Sequence, residues 1–204
     1  MKRVLQIVLA VVVIVLAYVL YQQIMTPLRF QKEVKIREAA VIDRIKDIRS
    51  AERAYRQVHS SYADNFDTLI NFVLNDSIEY ERAIGSEDDS VAVAKGLLKR
   101  EKFYRRAIDT IFGAKVLTPE AVEQLRYIPY GNGNEFILDA GALETESKVV
   151  VQVFEAKAPY TLFLGDLDKQ ELANLIDERV SIEKYPGIKV GSLEQATNDA
   201  GNWE

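Results

Sequence analysis

Apolar residues form one long block near the start of the chain. Between Val4 and Tyr21 the only strongly polar side chain is Gln6. A helix rises about 1.5 Å per residue, so this block extends about 27 Å, close to the roughly 30 Å hydrocarbon core of a bilayer. The pattern predicts a transmembrane helix, and we assign residues 1–27 to a membrane anchor. Its predicted lipid-facing positions are Val4, Leu5, Ile7, Val8, Leu9, Val12, Ile14, Leu16, Tyr18 and Tyr21.

A cleaved signal peptide is the alternative interpretation of this block. The apolar region of a signal peptide is shorter, and residues 18–23 contain no small-residue pattern suited to cleavage. We therefore expect an uncleaved anchor that crosses the membrane once. Lys2 and Arg3 favour a cytoplasmic N-terminus, although a larger number of basic residues follows the span. A short polar head before a long domain favours a signal anchor, so we expect a periplasmic domain held in a bacterial inner membrane.

Beyond the anchor, the apolar positions narrow to a stripe. Spacings of seven, four, three and seven predict a helix with heptad character over residues 28–60. The stripe consists of Val34, Val41, Ile45, Ile48 and Tyr55. Two interpretations stay open: the stripe packs on the chain's own domain, or it contacts a partner helix as well. Pro27 either ends the transmembrane helix or kinks it.

The next part of the chain alternates between short elements and breaks. The helix is expected to stop near residues 59–61, where small polar side chains interrupt the stripe. Asp64 then has the properties of an N-cap for a short second helix. Residues 76–90 are expected to be irregular, and residues 91–112 fit either a helix or strands. Residues 118–120, Thr-Pro-Glu, predict another short helix because they combine a capping hydroxyl with an early proline.

From residue 127 onward the periodicity changes to the two-residue repeat of strands. Two apolar segments flank Gly131–Asn134, which favours a hairpin because Gly and Asn tolerate positive φ. Residues 148–155 are apolar on both faces, as in a central strand. Residues 160–164 and 185–190 are interpreted as further extended segments. The second half of the chain therefore predicts an antiparallel sheet.

One more helix completes the predicted fold. Asp168 is expected to cap a helix over residues 169–179, with Glu171 as its capping-box partner. Helices precede strands, so we predict an α+β fold: a transmembrane helix, a long amphipathic helix and an antiparallel sheet domain with short helices. The expected domains are a membrane anchor (1–27), a juxtamembrane helix (28–60), an α+β extracytoplasmic domain (61–190) and a polar C-terminal tail (191–204).

One segment carries a resemblance to a known superfamily. Its pattern is Ala51-x-x-Ala54-Tyr55, a polar break at Ser60-Ser61, then Tyr62 and Phe66-x-x-Leu69. Over roughly residues 30–72 the chain thus resembles type IV pilins and pseudopilins. The resemblance implies a pilin-like plan, in which a long helix leaves the membrane and packs on an antiparallel sheet. The chain departs from the prepilin processing motif: it has no Gly before Gly85 and no acidic residue before Glu33.

A second resemblance concerns the whole sequence and its C-terminal region. Residues 185–192 read Tyr-Pro-Gly-Ile-Lys-Val-Gly-Ser, and the last three residues read Asn-Trp-Glu. With these features the protein resembles singly anchored envelope proteins of the Bacteroidetes type. This resemblance implies an envelope location and no particular activity.

Composition and charge narrow the class of partner. The 204 residues carry a formal net charge of −5 and include no cysteine. Nucleic acid is not expected as a partner, because binding it needs a basic surface excess. Without cysteine there are neither disulfides nor thiolate chemistry. One local cluster is basic and is either a solvated surface or a contact patch for an acidic partner. It comprises Lys99, Arg100, Lys102, Arg105 and Arg106.

Residues suited to catalysis or metal binding are sparse along the chain. His59 is the only histidine, and it lies at a predicted helix C-terminus, where the helix dipole favours a cation. Asp166, Asp168 and Asp177 have a spacing that weakly resembles a calcium loop. The sixth position of that loop should be Gly and is Glu171, so a capping role for Asp168 is the better interpretation. We expect no metal and no cofactor.

Together these patterns predict a non-enzymatic single-pass membrane protein. We expect a structural or scaffolding component of a pilus-like or secretion-like envelope assembly, whose partners are the lipid bilayer and either other proteins or further copies of itself. No small-molecule substrate is expected. The alternative is an anchored sensor or ligand-binding module, with Tyr127, Tyr130 and Phe136 lining a groove. An enzyme would need an acid pair such as Asp139 and Glu144 to converge in a cleft.

Overall fold

The protein has an α+β fold dominated by one very long N-terminal helix. The computed structural model describes residues 2–84, 99–145 and 147–204. The helices are α1 (Lys2–His59), α2 (Phe66–Asn75), α3 (Ala107–Phe112), α4 (Pro119–Glu123), α5 (Tyr160–Phe163) and α6 (Lys169–Ser181). The strands are β1 (Ser77–Ile84), β2 (Lys99–Arg106), β3 (Ile137–Glu144), β4 (Val150–Pro159) and β5 (Gly187–Gly191). The predicted α+β class with antiparallel sheets is confirmed.

Helix α1 continues without a break through Pro27. Its 58 residues give a length of about 87 Å at a rise of about 1.5 Å per residue. Proline removes one backbone hydrogen bond, and transmembrane helices tolerate that loss. The predicted anchor and juxtamembrane helix are therefore one element. The helix ends at His59, within the expected stop, and Ser60 turns the backbone with a φ of 60°.

Helix α2 begins one residue later than the sequence predicted. Asn65, rather than Asp64, is its N-cap: the Asn65 backbone is extended, and its side-chain oxygen accepts a hydrogen bond of 2.8 Å from the Thr68 N–H. A cap oxygen must reach the amide three residues on, and the one-residue shift places Asn65 at that distance. The Asp64 carboxylate instead accepts a hydrogen bond from the Asn65 amide group.

A two-stranded antiparallel hairpin follows α2, where an irregular segment was expected. Strand β1 pairs with β2 from Ser77↔Arg106 to Ile84↔Lys99. Apolar and charged side chains alternate along β1, and the apolar ones explain the pairing. Ile78 is buried, and the Tyr80 ring stacks on the Phe103 ring of β2 with 5.7 Å between the ring centres. The prediction of an irregular segment is wrong for residues 77–84, and its remainder, residues 85–90, lies outside the described residues. The open question over residues 91–112 resolves, for residues 99–112, into strand β2 followed directly by α3. Residues 91–98 lie outside the described residues.

The main sheet has three antiparallel strands in the order β3-β4-β5. Residues 148–155 contribute most of β4, which is the central strand, as predicted. The hairpin expected around Gly131–Asn134 is reduced to one bridge, Tyr127↔Glu135, because Tyr130 and Asn132 adopt positive φ and turn the backbone away from an extended path.

One further prediction near the sheet needs correction. Residues 160–163 form the short helix α5 instead of a strand, because the Leu164 N–H bonds to the Tyr160 carbonyl. The polar C-terminal tail packs against β5. Val190 bridges to Gly201, and the Asn202 side chain bonds to the backbone of both Lys189 and Gly187.

One hydrophobic core joins the second half of α1 to the rest of the domain. Its largest fully buried side chains include Tyr160, Phe72, Phe154 and Phe163, from α5, α2 and β4. Ile45 and Ile48 of α1 are fully buried in the same core. The long helix is therefore an integral part of the domain and not a detached stalk.

Candidate functional site

The first half of α1 presents apolar side chains to the outside on all of its faces. Its most apolar 18-residue window has a mean hydropathy of 2.8 and no buried residue. By length and composition, α1 is thus a candidate membrane span. The predicted anchor residues with described side chains are all exposed; the Leu5 side chain lies outside the described set. They are Val4, Ile7, Val8, Leu9, Val12, Ile14, Leu16, Tyr18 and Tyr21.

The second half of α1 buries the stripe that was predicted to be a partner-helix face. Val34 is 7% exposed, and Val41, Ile45 and Ile48 are 0% exposed. Tyr55 is partly buried, and its ring packs edge-on against the Phe72 ring of α2 with 5.2 Å between the ring centres. The assignment of this stripe to a partner helix is therefore corrected. Its side chains are used inside the domain, which is the other interpretation that the periodicity allowed.

A polar clamp formed by Arg37 and Glu38 fastens α1 to the domain near the start of the buried half of the helix. The buried Arg37 guanidinium donates to the Phe163 carbonyl at 2.8 Å and forms a two-pronged ion pair with Asp166 at 2.5 and 2.8 Å. The Arg37 hydrogen bonds hold the pKa of Asp166 below its usual value. At the next position of α1, Glu38 accepts a hydrogen bond of 2.7 Å from the Tyr160 hydroxyl. Side-chain hydrogen bonds thus supplement apolar packing where α1 enters the domain.

A buried carboxylate marks the opposite end of α1. Glu52 is 0% exposed, and its Oε2 accepts a 3.0 Å hydrogen bond from the Ala63 N–H. Its other oxygen, Oε1, is buried and accepts no hydrogen bond from the described residues. The pKa of Glu52 is raised to about 8, mainly by burial. The hydrogen bond from Ala63 lowers this pKa, and the nearby Asp199 and Asp64 charges add to the rise. The side chain therefore favours its neutral, protonated form at pH 7.

The C-terminal segment closes over the same end of the helix. Buried Asp199 accepts hydrogen bonds from Tyr62 at 2.8 Å and from Arg53 at 3.0 Å. Burial, followed by the bond to Asp199, raises the pKa of Tyr62 above its usual value. Arg49 reaches the Glu204 carboxylate at 2.6 Å and lies 5.9 Å from the centre of the Trp203 ring. The predicted tail, residues 191–204, thus connects β5 to the C-terminal end of α1.

The predicted basic contact patch does not form one uniform surface. Strand alternation places Lys102 and Arg106 on one face of β2 and Arg105 on the other. Lys102 pairs with Glu79 at 2.5 Å, and Arg106 pairs with Asp109 at 2.9 Å. These ion pairs neutralise Lys102 and Arg106, so the cationic character of the patch is weaker than the sequence indicated. The side chains of Lys99 and Arg100 lie outside the described set.

The residues that were considered for chemistry serve structural contacts. His59 stacks on Tyr55 at 4.2 Å at the end of α1. Asp168 caps α6 through the N–H groups of Gln170 and Glu171, as predicted. Asp166 is occupied by Arg37. Among the residues that the structure describes, no group of three or more His, Cys, Asp or Glu side chains is placed to hold a metal ion.

The alternative groove and acid pair are not assembled by the described residues either. Phe136 is 4% exposed and belongs to the core, whereas Tyr130 is 51% exposed beside Arg37. Tyr127 lines a different cavity. Asp139 and Glu144 lie five residues apart on β3, so they point to opposite faces of the sheet at a separation of about 17 Å.

Glu52 and Asp199 make important contacts and were not predicted to do so. The sequence contains a signal for the first residue and none for the second. Glu52 sits four residues after Ile48 and three before Tyr55, so the periodicity alone indicates a carboxylate on the buried stripe. Asp199 gives no such signal, because its neighbours Asn198 and Ala200 are typical of an exposed turn. Its contact with Tyr62 spans 137 positions of sequence and depends on the tertiary fold.

Along α1, the exposed apolar half is followed by the Arg37 contacts and then by the contacts of Arg49 and Arg53 with the C-terminal segment. In comparisons with known proteins, no family model matches the sequence, and neither the curated proteins nor the solved structures contain a significant match.

Proposed function

We propose that the protein is a non-enzymatic, single-pass inner-membrane protein that acts as a structural component of a cell-envelope assembly. One observation carries the proposal: a single continuous helix supplies both the exposed apolar segment and the centre of the domain's core. A periplasmic domain mounted in this way has a fixed position relative to the bilayer. Such coupling suits a scaffold, whose partners need a constant geometry.

The contacts of α1 explain why the mounting is stiff. Its stripe is fully buried at Val41, Ile45 and Ile48, and the Arg37–Asp166 pair fastens it close to the membrane. Displacing the helix would expose apolar area at about 25 cal/mol per Å² and would leave a buried guanidinium without its carboxylate. The domain and the helix therefore move as one body.

The order of elements also supports a pilin-like plan. An exposed apolar helix is followed by a buried helical half, a polar break at residues 60–65 and a three-stranded antiparallel sheet. In this plan the helix joins neighbouring subunits within the membrane, and the domain presents contact surfaces outside it. The β1–β2 hairpin is such a surface, because its face around Tyr104 is exposed.

The test is the native mass of the full-length protein, purified from its own membranes in mild detergent, with all co-purifying proteins identified. We expect a defined oligomer or a fixed set of partners. Tyr104→Ser on the hairpin should weaken the assembly. Val180→Ser is the control, since Val180 is 56% exposed and lies on α6, outside the hairpin. A monomer without partners would contradict the proposal.

A further inference from the structure

The edge of the three-stranded sheet next to β5 is incomplete. Strand β5 pairs with β4 only from Glu155↔Gly191 to Pro159↔Gly187, although β4 begins five residues earlier, at Val150. Gly191 has a φ of 70°, and a Cβ at this position would lie 2.1 Å from the Phe154 carbonyl oxygen. The backbone therefore turns away after Gly191. Among the described residues, the first half of β4 pairs with β3 alone.

Backbone alternation shows which groups of β4 lie along this open edge. The carbonyl oxygens of Ala158 and Phe154 both point at glycines of β5. In an antiparallel strand, the N–H and C=O of every second residue point to the same side. The backbone groups of Gln152 and Val150 must therefore face the same edge, beyond the end of β5. They form a short row of donors and acceptors that an added strand could pair with.

A small cavity lies beside this row, and we call it the edge slot. It has a volume of about 180 Å³ and is lined by β4, the 191–199 loop and Arg56. Thr197 lines it, and the Thr197 hydroxyl is buried without a hydrogen bond to any described residue. Val149 and Val150, at the start of β4, are more than half exposed.

Two charged residues, Arg56 and Asp199, line the edge slot. The Arg56 guanidinium donates to the Tyr62 hydroxyl at 2.7 Å and lies 5.0 Å from the centre of the Tyr62 ring. Within the described ranges, no carboxylate forms an ion pair with Arg56. The nearby Asp199 carboxylate is already bonded to Tyr62 and Arg53. Arg56 therefore provides an available cation for an incoming carboxylate.

We propose that the edge slot binds an extended polypeptide segment of a partner, which adds to β4 as a further strand and places a carboxylate on Arg56. Main-chain pairing with Gln152 and Val150 would supply affinity, and the guanidinium would supply selectivity. The carboxylate belongs either to an acidic side chain or to the free C-terminus of the partner. This inference rests on the proposed function, because it names the kind of segment that the assembly component holds.

The experiment uses the full-length protein in lipid nanodiscs and a pool of fluorescein-labelled heptapeptides. Each peptide carries Val, Ile or Thr at alternate positions, varied polar residues including Glu between them, and a free C-terminus. Fluorescence anisotropy measures binding, and the best binders are resynthesised in three altered forms. One form has alternate backbone amides N-methylated in either register, one is C-terminally amidated, and one has Glu replaced by Gln.

We expect N-methylation in one register to weaken binding at least about tenfold and the other register to have little effect, because only one set of amides pairs with β4. Removing the relevant carboxylate should weaken binding about tenfold. Whether amidation or the Glu-to-Gln change causes the loss identifies the carboxylate source. The Arg56→Gln protein should lose this preference, whereas Arg105→Gln should keep it.

Two results would overturn the inference: no peptide binds with a Kd below about 1 mM, or binding is indifferent to both N-methylation and carboxylate removal. The peptide variants leave the protein unchanged, so misfolding cannot explain a negative result. Peptide binding does not depend on the native mass of the protein. Its failure is therefore distinguishable from failure of the proposed scaffold role.

Discussion

The two halves of α1 have the same backbone and opposite surroundings. Up to residue 24, apolar side chains cover all faces and are exposed; Ile14 is 68% exposed. Beyond residue 30, apolar side chains concentrate in one stripe that is buried; Ile45 is 0% exposed. The same residue type is thus part of an exposed surface in one half and of the protein core in the other.

The comparison shows what the distribution of apolar residues around a helix decides. A helix that is apolar all round satisfies its backbone internally and needs an apolar solvent, which a bilayer provides. A striped helix needs a single apolar surface, which its own domain provides here. Both halves belong to one continuous helix.

Core substitutions in the second half should have the largest effect on stability. We expect Ile45→Ala to lower the free energy of unfolding by about 2–5 kcal/mol, since it leaves a cavity in a fully buried site. Ile36→Ala, at a position of the same helix that is 46% exposed, should cost less than about 1 kcal/mol. Urea unfolding of the full-length protein in detergent measures both. Equal effects would contradict the burial of the stripe.

The buried Glu52 should make stability depend on pH. Its pKa rises from the ordinary glutamate value of 4.5 to about 8 in the folded protein. The folded state then binds the proton more tightly, so stability is greatest below pH 4.5 for this group and falls as the pH rises through 8. We expect Glu52→Gln to remove this fall and to be more stable than the natural protein at pH 9, by a few kcal/mol at most.

Unfolding curves recorded between pH 5 and pH 9 test this expectation. Gln keeps an oxygen for the Ala63 N–H, so the variant isolates the charge from the hydrogen bond. Glu33→Gln is the control, because Glu33 lies on the same helix with its side chain 47% exposed. An unchanged pH slope in Glu52→Gln would show that Glu52 does not titrate in this range.

The polar clamp at Arg37 should have a moderate effect. Asp166→Asn removes the carboxylate that faces the buried Arg37, and we expect a loss of about 1–2 kcal/mol, because the Phe163 carbonyl still accepts from the guanidinium. Asp43→Asn is the control, since the Asp43 side chain is 75% exposed and lies 4.0 Å from Lys46. Thermal unfolding compares the two. If both variants behave alike, the clamp does not fasten α1.

The exposed first half should contribute least to domain stability. Leu9 is 64% exposed, so Leu9→Lys should change the unfolding free energy of the domain by less than about 0.5 kcal/mol. The same change should impair membrane insertion, because a lysine near the middle of a span costs about 2.5–3.5 kcal/mol. Extraction of membranes with alkaline carbonate measures retention. Full retention of the variant would argue against a lipid-facing position.

The sequence was most informative where a local pattern governs the structure. The apolar block, the end of α1 at His59 and the cap at Asp168 each follow from neighbouring residues. The central position of β4 follows from apolar residues on both of its faces. The cap at Asn65 was misplaced by one residue, because two adjacent side chains are both suitable caps.

The sequence was least informative where distant segments meet. Strand β1 was missed because its charged face resembles a loop, and its partner β2 begins fifteen positions after it ends. The clamp between Arg37 and Asp166 joins positions 129 residues apart. The edge slot arises because β5 stops before β4 does. Periodicity also left open whether the α1 stripe packs on its own domain or on a partner helix. Only the tertiary fold distinguishes these two interpretations.

The most direct test of the account is the distance between spin labels on the two halves of α1. The sequence has no cysteine, so Ile14→Cys and Ile36→Cys create two unique labelling sites. Pulsed electron–electron double resonance in nanodiscs should give a narrow distribution of distances between the two labels, centred at about 33 Å. This value follows from a rise of about 1.5 Å per residue in a continuous helix. A broad distribution, or a mean far below about 30 Å, would show a joint at Pro27 and contradict the fixed mounting of the domain.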